Sequence, residues 1–105
     1  MSEGARLVSL REMLADDPDD AFTRYALAME LKGQARPDDA RAELATLLAR
    51  SPDYLATYFQ YGSLLYQAGD EAAAEVIRQG IEKAAQVGDA HTKSELEGLL
   101  AEVEA

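Results

Sequence analysis

The stretch "YFQYGSLLYQAGD", Tyr58–Asp70, holds three of the chain's five tyrosines and one of its two phenylalanines. Large side chains recur in it at steps of three and four: Tyr58, Tyr61 and Leu65 fall on one helical face. Gly62 lies among them, and the Gly69–Asp70 pair closes the run. That is the 3.6-residue period of a helix, stopped by glycine and followed by a carboxylate able to cap the next helix. The question it poses is which rings are core and which are surface.

The same period fills the rest of the chain. Leu7, Leu10, Met13 and Leu14 repeat it, as do Phe22, Tyr25 and Met29, then Leu44, Leu47 and Leu48, and finally Leu96, Leu99, Leu100 and Val103. No sustained alternation marks a strand. Pro18, Pro37 and Pro52 stand where helices begin or end, Gly33, Gly69 and Gly88 where they stop, and Asp70 and Asp89 where the next is capped. The punctuation predicts six helices, over residues 4–15, 20–33, 37–50, 54–68, 70–86 and 89–104. Every connection is short, so neighbours in sequence should pack as antiparallel hairpins.

Composition excludes several classes of function. A chain of 105 residues reads as one domain, able to bury roughly 65% of its unfolded surface. It has no cysteine, which removes disulfides, thiolate catalysis and cysteine-based zinc sites. Ten basic residues against twenty acidic give a net charge of −10. Nucleic acid and anionic lipid are disfavoured partners for such a surface, and a neutral or basic protein is favoured. No leader pattern is visible in "MSEGARLVSLREML" and no apolar run is long enough to span a membrane, so the expected location is the cytoplasm.

Pro18 and Pro52 are 34 residues apart, as are Ala28 and Gly62, and Ala40 and Ala74. A period of 34 with two helices per unit resembles the tetratricopeptide repeat. Tyr58, Tyr61 and Gly62 match the W-x-x-L-G places of that family, Leu65 its next aromatic place and Ala74 its small-residue place. Leu27, Ala28, Leu31, Ala40, Leu44 and Pro52 match in the preceding unit. Arg24, Arg78 and Gln86 depart from the pattern. The resemblance implies an all-α fold of antiparallel helical hairpins stacked as a short right-handed solenoid. Its parts would be an N-terminal half-repeat helix (4–15), a first repeat (21–54), a second repeat (55–88) and a C-terminal capping helix (89–104). Small residues at Ala28, Gly62, Ala40 and Ala74 would let helix axes cross closely.

In that family the first helix of each unit lines a concave face. Carried onto this chain, Tyr58 and Tyr61 are expected in the core. Phe22, Tyr25, Ala26, Met29 and Lys32 in the first unit, and Phe59, Gln60, Ser63, Tyr66 and Gln67 in the second, are expected to face a partner. Tyrosine and methionine suit adaptable recognition. The bland alternative is that the chain's own helices cover these rings. Some members clamp acidic chaperone tails with basic groove residues, but Tyr25, Met29 and Gln60 stand at those places and supply no charge.

Chemistry finds little foothold. His91 and Glu95, one turn apart, make at most two metal ligands. "DDPDD" at 16–20 lacks the glycine and distal glutamate of a calcium loop and reads as a helix boundary. No phosphate loop, dinucleotide fingerprint or nucleophile elbow is present. The expected function is a non-catalytic adaptor or scaffold, without cofactor or metal, holding a peptide or helix of a partner protein. The alternative is homodimer assembly, or a client-specific chaperone role, through an N-terminal helix rich in apolar residues (Leu7, Val8, Leu10, Met13, Leu14).

Overall fold

The computed structural model describes residues 4–105; the first three, part of the stretch read for a leader, lie outside the described residues. Six helices follow one another, with no strand among the described residues: α1 (Ala5–Asp16), α2 (Ala21–Gly33), α3 (Pro37–Arg50), α4 (Ala56–Gln67), α5 (Ala73–Val87) and α6 (Ala90–Val103). They form two compact units, Met1–Pro52 and Asp53–Ala105.

In the first unit α2 packs against both α1 and α3. Leu7, Leu10 and Leu14 of α1, Leu27, Ala28 and Leu31 of α2, and Ala40, Leu44 and Leu47 of α3 are buried. The acidic run "DDPDD" supplies the boundary between α1 and α2. Asp20 caps α2, accepting from the Thr23 amide and, at 2.7 Å, from the Thr23 hydroxyl. Asp19 pairs with Arg50 at 2.7 Å, and the Pro18 carbonyl accepts from Arg24 at 3.1 Å. The Asp19–Arg50 pair ties the start of α2 to the end of α3. Pro37 opens α3, with Asp38 and Asp39 in the first turn, where carboxylates favour the positive end of the helix dipole.

In the second unit α5 packs against both α4 and α6, and α4 also touches α6. Tyr58, Leu64 and Leu65 of α4, Ala73, Val76, Ile77 and Ala84 of α5, and Leu96 and Leu99 of α6 are buried. Lys83 of α5 pairs with Asp53 at 2.9 Å.

Two helix starts differ from the sequence expectation by two residues or more, the other ends agree within one, and one helix end is turned by a different residue. Helix α4 starts at Ala56 rather than 54, after an opening turn in which the Thr57 and Tyr58 amides donate to the Tyr54 and Leu55 carbonyls. Helix α5 starts at Ala73 rather than 70, because the Asp70 carboxylate accepts from the Ala72 amide at 2.8 Å and so closes a turn ahead of the helix. Gly33 is the last residue of α2, but the left-handed residue that turns the chain is Ala35, at φ 58°. The Arg36 amide then reaches back to the Leu31 carbonyl, as the Asp70 amide does to Leu65 and the Asp89 amide to Ala84. All three are the same helix-ending motif, with Ala35, Gly69 and Gly88 at its left-handed place.

Candidate functional site

The interior of each hairpin decides which side chains remain for a partner. In the second unit Tyr58 is buried against Gly80 of α5. A Cβ built on Gly80 would lie 2.5 Å from the Tyr58 Cβ and 2.8 Å from its Cγ. Gly62 stands against Ile77, 2.5 Å from a built Cβ to Cγ1. Both glycines therefore serve close approach: α4 and α5 meet where there is no side chain to hold them apart. Of the other places matched to the repeat, Leu27, Ala28 and Ala40 are buried, Tyr61 and Ala74 are half-buried, and Pro52 is exposed. Ala73, next to Ala74, is buried instead, as is Ala84 farther along α5.

The equivalent place to Tyr58 in the first unit is Arg24, and its partner is one the sequence reading did not find. The Arg24 guanidinium lies 2.8 Å from Glu43 of α3, with side-chain exposures of only 11% and 22%. Glu43 occupies the place of Ile77, and Thr46 that of Gly80. The clue was available in sequence: a basic residue at an aromatic place, with a carboxylate 19 residues on where the other repeat has isoleucine.

The side chains assigned to a partner then sort by exposure. On α2, Phe22 is 70% exposed, Tyr25, Ala26 and Met29 are half-buried, and Lys32 is exposed. On α4, Phe59, Gln60 and Ser63 are half-buried, Tyr66 is 44% exposed and Gln67 is exposed. Each first helix thus carries an aromatic side chain at the surface beside partly covered polar and apolar neighbours.

Two helix starts carry the same side-chain cap. Hydrogen bonds from Thr23 hold the Asp20 carboxyl below its usual range, its hydroxyl contributing most. The Thr92 amide and hydroxyl do the same for Asp89 at the start of α6. At α4 the corresponding threonine is Thr57, but Tyr54 stands in the place of the aspartate. The Thr57 hydroxyl is buried without a hydrogen-bond partner. His91 and Glu95 lie 3.4 Å apart at the surface, and the described residues contain no group of three or more potential metal ligands. No helix among the described residues is long and apolar enough to cross a membrane.

Helical hairpins in tandem, related by 34 residues and closed by glycine-type helix ends, define an all-α repeat protein. No family model and no curated protein matches the sequence. Solved structures do. The crystal structure of a tetratricopeptide repeat domain protein from Salinibacter ruber is 35% identical, with a TM-score of 0.77, covering 81% of this chain and 96% of its own. A solution structure of a tetratricopeptide repeat domain protein from the same organism is 36% identical, at 0.78, covering 84% and 90%. A protein from Bordetella parapertussis is 26% identical, at 0.79, covering 97% and 90%. The chain belongs to the tetratricopeptide repeat family, and its fold is that of a protein-interaction repeat module.

Proposed function

We propose that the chain is a non-catalytic adaptor that holds a peptide or helix of a partner protein on the first-helix faces of its repeats. The contact residues are Phe22, Tyr25, Met29 and Lys32 of α2 and Phe59, Gln60, Ser63 and Tyr66 of α4. The observation that carries this reading is the exposure of Phe22 and Tyr66, which lie off the faces that form the hairpin interiors. An aromatic left in water on a helix whose other face already supplies the core is a ready anchor for an apolar side chain. The net charge of −10 favours a neutral or basic segment. Capture from the source cell's lysate, run beside a folded Tyr25→Ala/Phe59→Ala/Tyr66→Ala variant, tests it. A protein retained by the wild type and lost by the variant supports the reading; identical retention by both refutes it.

A second reading rests on α1, where Val8 is 44% and Met13 52% exposed. It is a homodimer, or a client-specific chaperone contact, through the N-terminal helix. A monomer mass by light scattering at micromolar concentration would eliminate the dimer form.

A further inference from the structure

The place that holds Leu44 in α3 holds Arg78 in α5. Leu44 is fully buried, whereas Arg78 lines an open cleft between α5 and α6. The cleft has a volume of about 440 Å³, and its other walls are Ile81, Glu97, Leu100, Ala101 and Glu104. An arginine in place of leucine leaves apolar surface on both helices without a side chain to fill the space between them. The guanidinium is engaged by Glu104, just beyond the end of α6.

Charge distinguishes among occupants. Residues 53–105 carry ten acidic residues and three basic ones, Arg78, Lys83 and Lys93, whereas residues 1–52 carry ten and seven. Two of the three basic groups in the second unit are already paired, Arg78 with Glu104 and Lys83 with Asp53. The cleft is thus apolar at Ile81, Leu100 and Ala101 and edged by the Glu97 carboxylate and the Arg78–Glu104 pair, on the more acidic half of the chain. A second copy would bring another ten net negative charges toward it, which opposes self-association there. A groove between two packed helices accepts a third helix along its length.

We propose that the α5–α6 cleft is a docking site for a cationic amphipathic helix of a partner protein. Its apolar side chains lie over Ile81, Leu100 and Ala101, and a lysine or arginine of it faces Glu97, Glu104 being paired with Arg78. The cleft shares no residue with the first-helix set on α2 and α4, so either assignment can fail while the other stands.

The test is fluorescence anisotropy with the full chain and a labelled, amidated helical peptide of about 14 leucine and lysine residues, roughly 20 Å long. The same peptide with glutamate for lysine is the control. Wild type binds the cationic peptide and not the acidic one. Ala101→Arg, which fills the cleft from an exposed position, weakens binding by about tenfold or more, a hot-spot effect. Gln79→Arg makes the same charge change on an exposed face of α5 turned away from the cleft and leaves affinity within about twofold, the scale of a screened surface charge. Glu97→Gln weakens binding and flattens its salt dependence. Equal weakening by both arginine variants would assign the binding to diffuse attraction and overturn the proposal. So would binding of the acidic peptide, or a wild-type dimer that Ala101→Arg dissociates.

Discussion

The two hairpins solve one packing problem with different chemistry. Four places facing one another across α2 and α3 read Arg24, Ala28, Glu43 and Thr46. The same places across α4 and α5 read Tyr58, Gly62, Ile77 and Gly80. In the second hairpin a buried ring sits on a glycine and an isoleucine on another, so the contact is apolar and close. In the first, an ion pair with little solvent exposure bridges the helices, and the small-residue place carries a Cβ. The four residues change together because each choice constrains the others. A ring at 58 needs the bare backbone at 80, and a guanidinium at 24 needs the carboxylate at 43. A repeat place is therefore specified by what lies opposite it, not by a residue type.

The comparison is broken most severely by filling the glycines. Gly62→Leu should destabilise the fold by more than about 2 kcal/mol in chemical denaturation, because the added side chain meets Ile77. Gly80→Ala should cost about 1–3 kcal/mol even though helix propensity alone favours alanine by about 1 kcal/mol. Gly98, also in a helix, has nothing within 4 Å of a built Cβ. Gly98→Ala should therefore stabilise by about 0.5–1 kcal/mol. If Gly80→Ala and Gly98→Ala shift the midpoint alike, the close approach at Gly80 is not limiting.

In the first hairpin Glu43→Leu should cost about 2 kcal/mol or more, since it strands a mostly buried guanidinium. Arg24→Met added to Glu43→Leu should recover most of that loss, by turning the first interior into an apolar one like the second. A double variant no more stable than Glu43→Leu alone would show that the bond from Arg24 to the Pro18 carbonyl, rather than the ion pair, anchors the hairpin.

The helix ends sharpen the same contrast at smaller scale. Ala35 and Gly69 occupy equivalent left-handed places. Ala35→Gly should stabilise by about 0.5–1 kcal/mol, and Gly69→Ala should destabilise by about 1 kcal/mol, because a Cβ is strained there. Thermal melts of the two variants should move in opposite directions.

The smallest effects concern the threonines. Thr57→Val should be neutral or slightly stabilising, since it removes a buried hydroxyl with no partner. Thr23→Val should destabilise, because the Thr23 hydroxyl donates to Asp20. Asp20 titrates below its usual range in the folded chain, so the stability it contributes is present above the unfolded carboxylate range, near pH 4, and is lost as pH falls through the lower folded value. Acid titrations of stability should therefore be less steep in Thr23→Val than in wild type, and unchanged in Thr57→Val.

These pairs also explain what the sequence made legible. Helix number, order and the repeat could be read because apolar period and 34-residue spacing are local or one-dimensional signals. Interactions set by facing residues were harder. Arg24 looked like a departure until Glu43 was beside it. Gly33 looked like the helix stop because glycine is the usual left-handed residue, yet the hydrogen bond from Arg36 to Leu31 places that burden on Ala35. Arg78 stood out as a departure in sequence, but the cleft beside it depends on how α6 lies against α5, which no spacing encodes. The first-helix side chains could be assigned by repeat position, whereas the exposure of Phe22 and Tyr66 beside half-buried Tyr25 and Phe59 required the packed helices.

Tyr58 gives the second hairpin an optical signature. The chain has five tyrosines and no tryptophan, and Tyr58 alone among the tyrosines is fully buried. Burial, its largest influence, pushes the phenol above its usual value near 10. In an alkaline absorbance titration the Tyr58 phenolate should appear above the usual phenol range. The unfolded phenol ionises at lower pH than the folded one, so alkali should also loosen this hairpin as pH climbs past about 10. The late phenolate signal would then report, without any label, the moment at which α4 leaves α5.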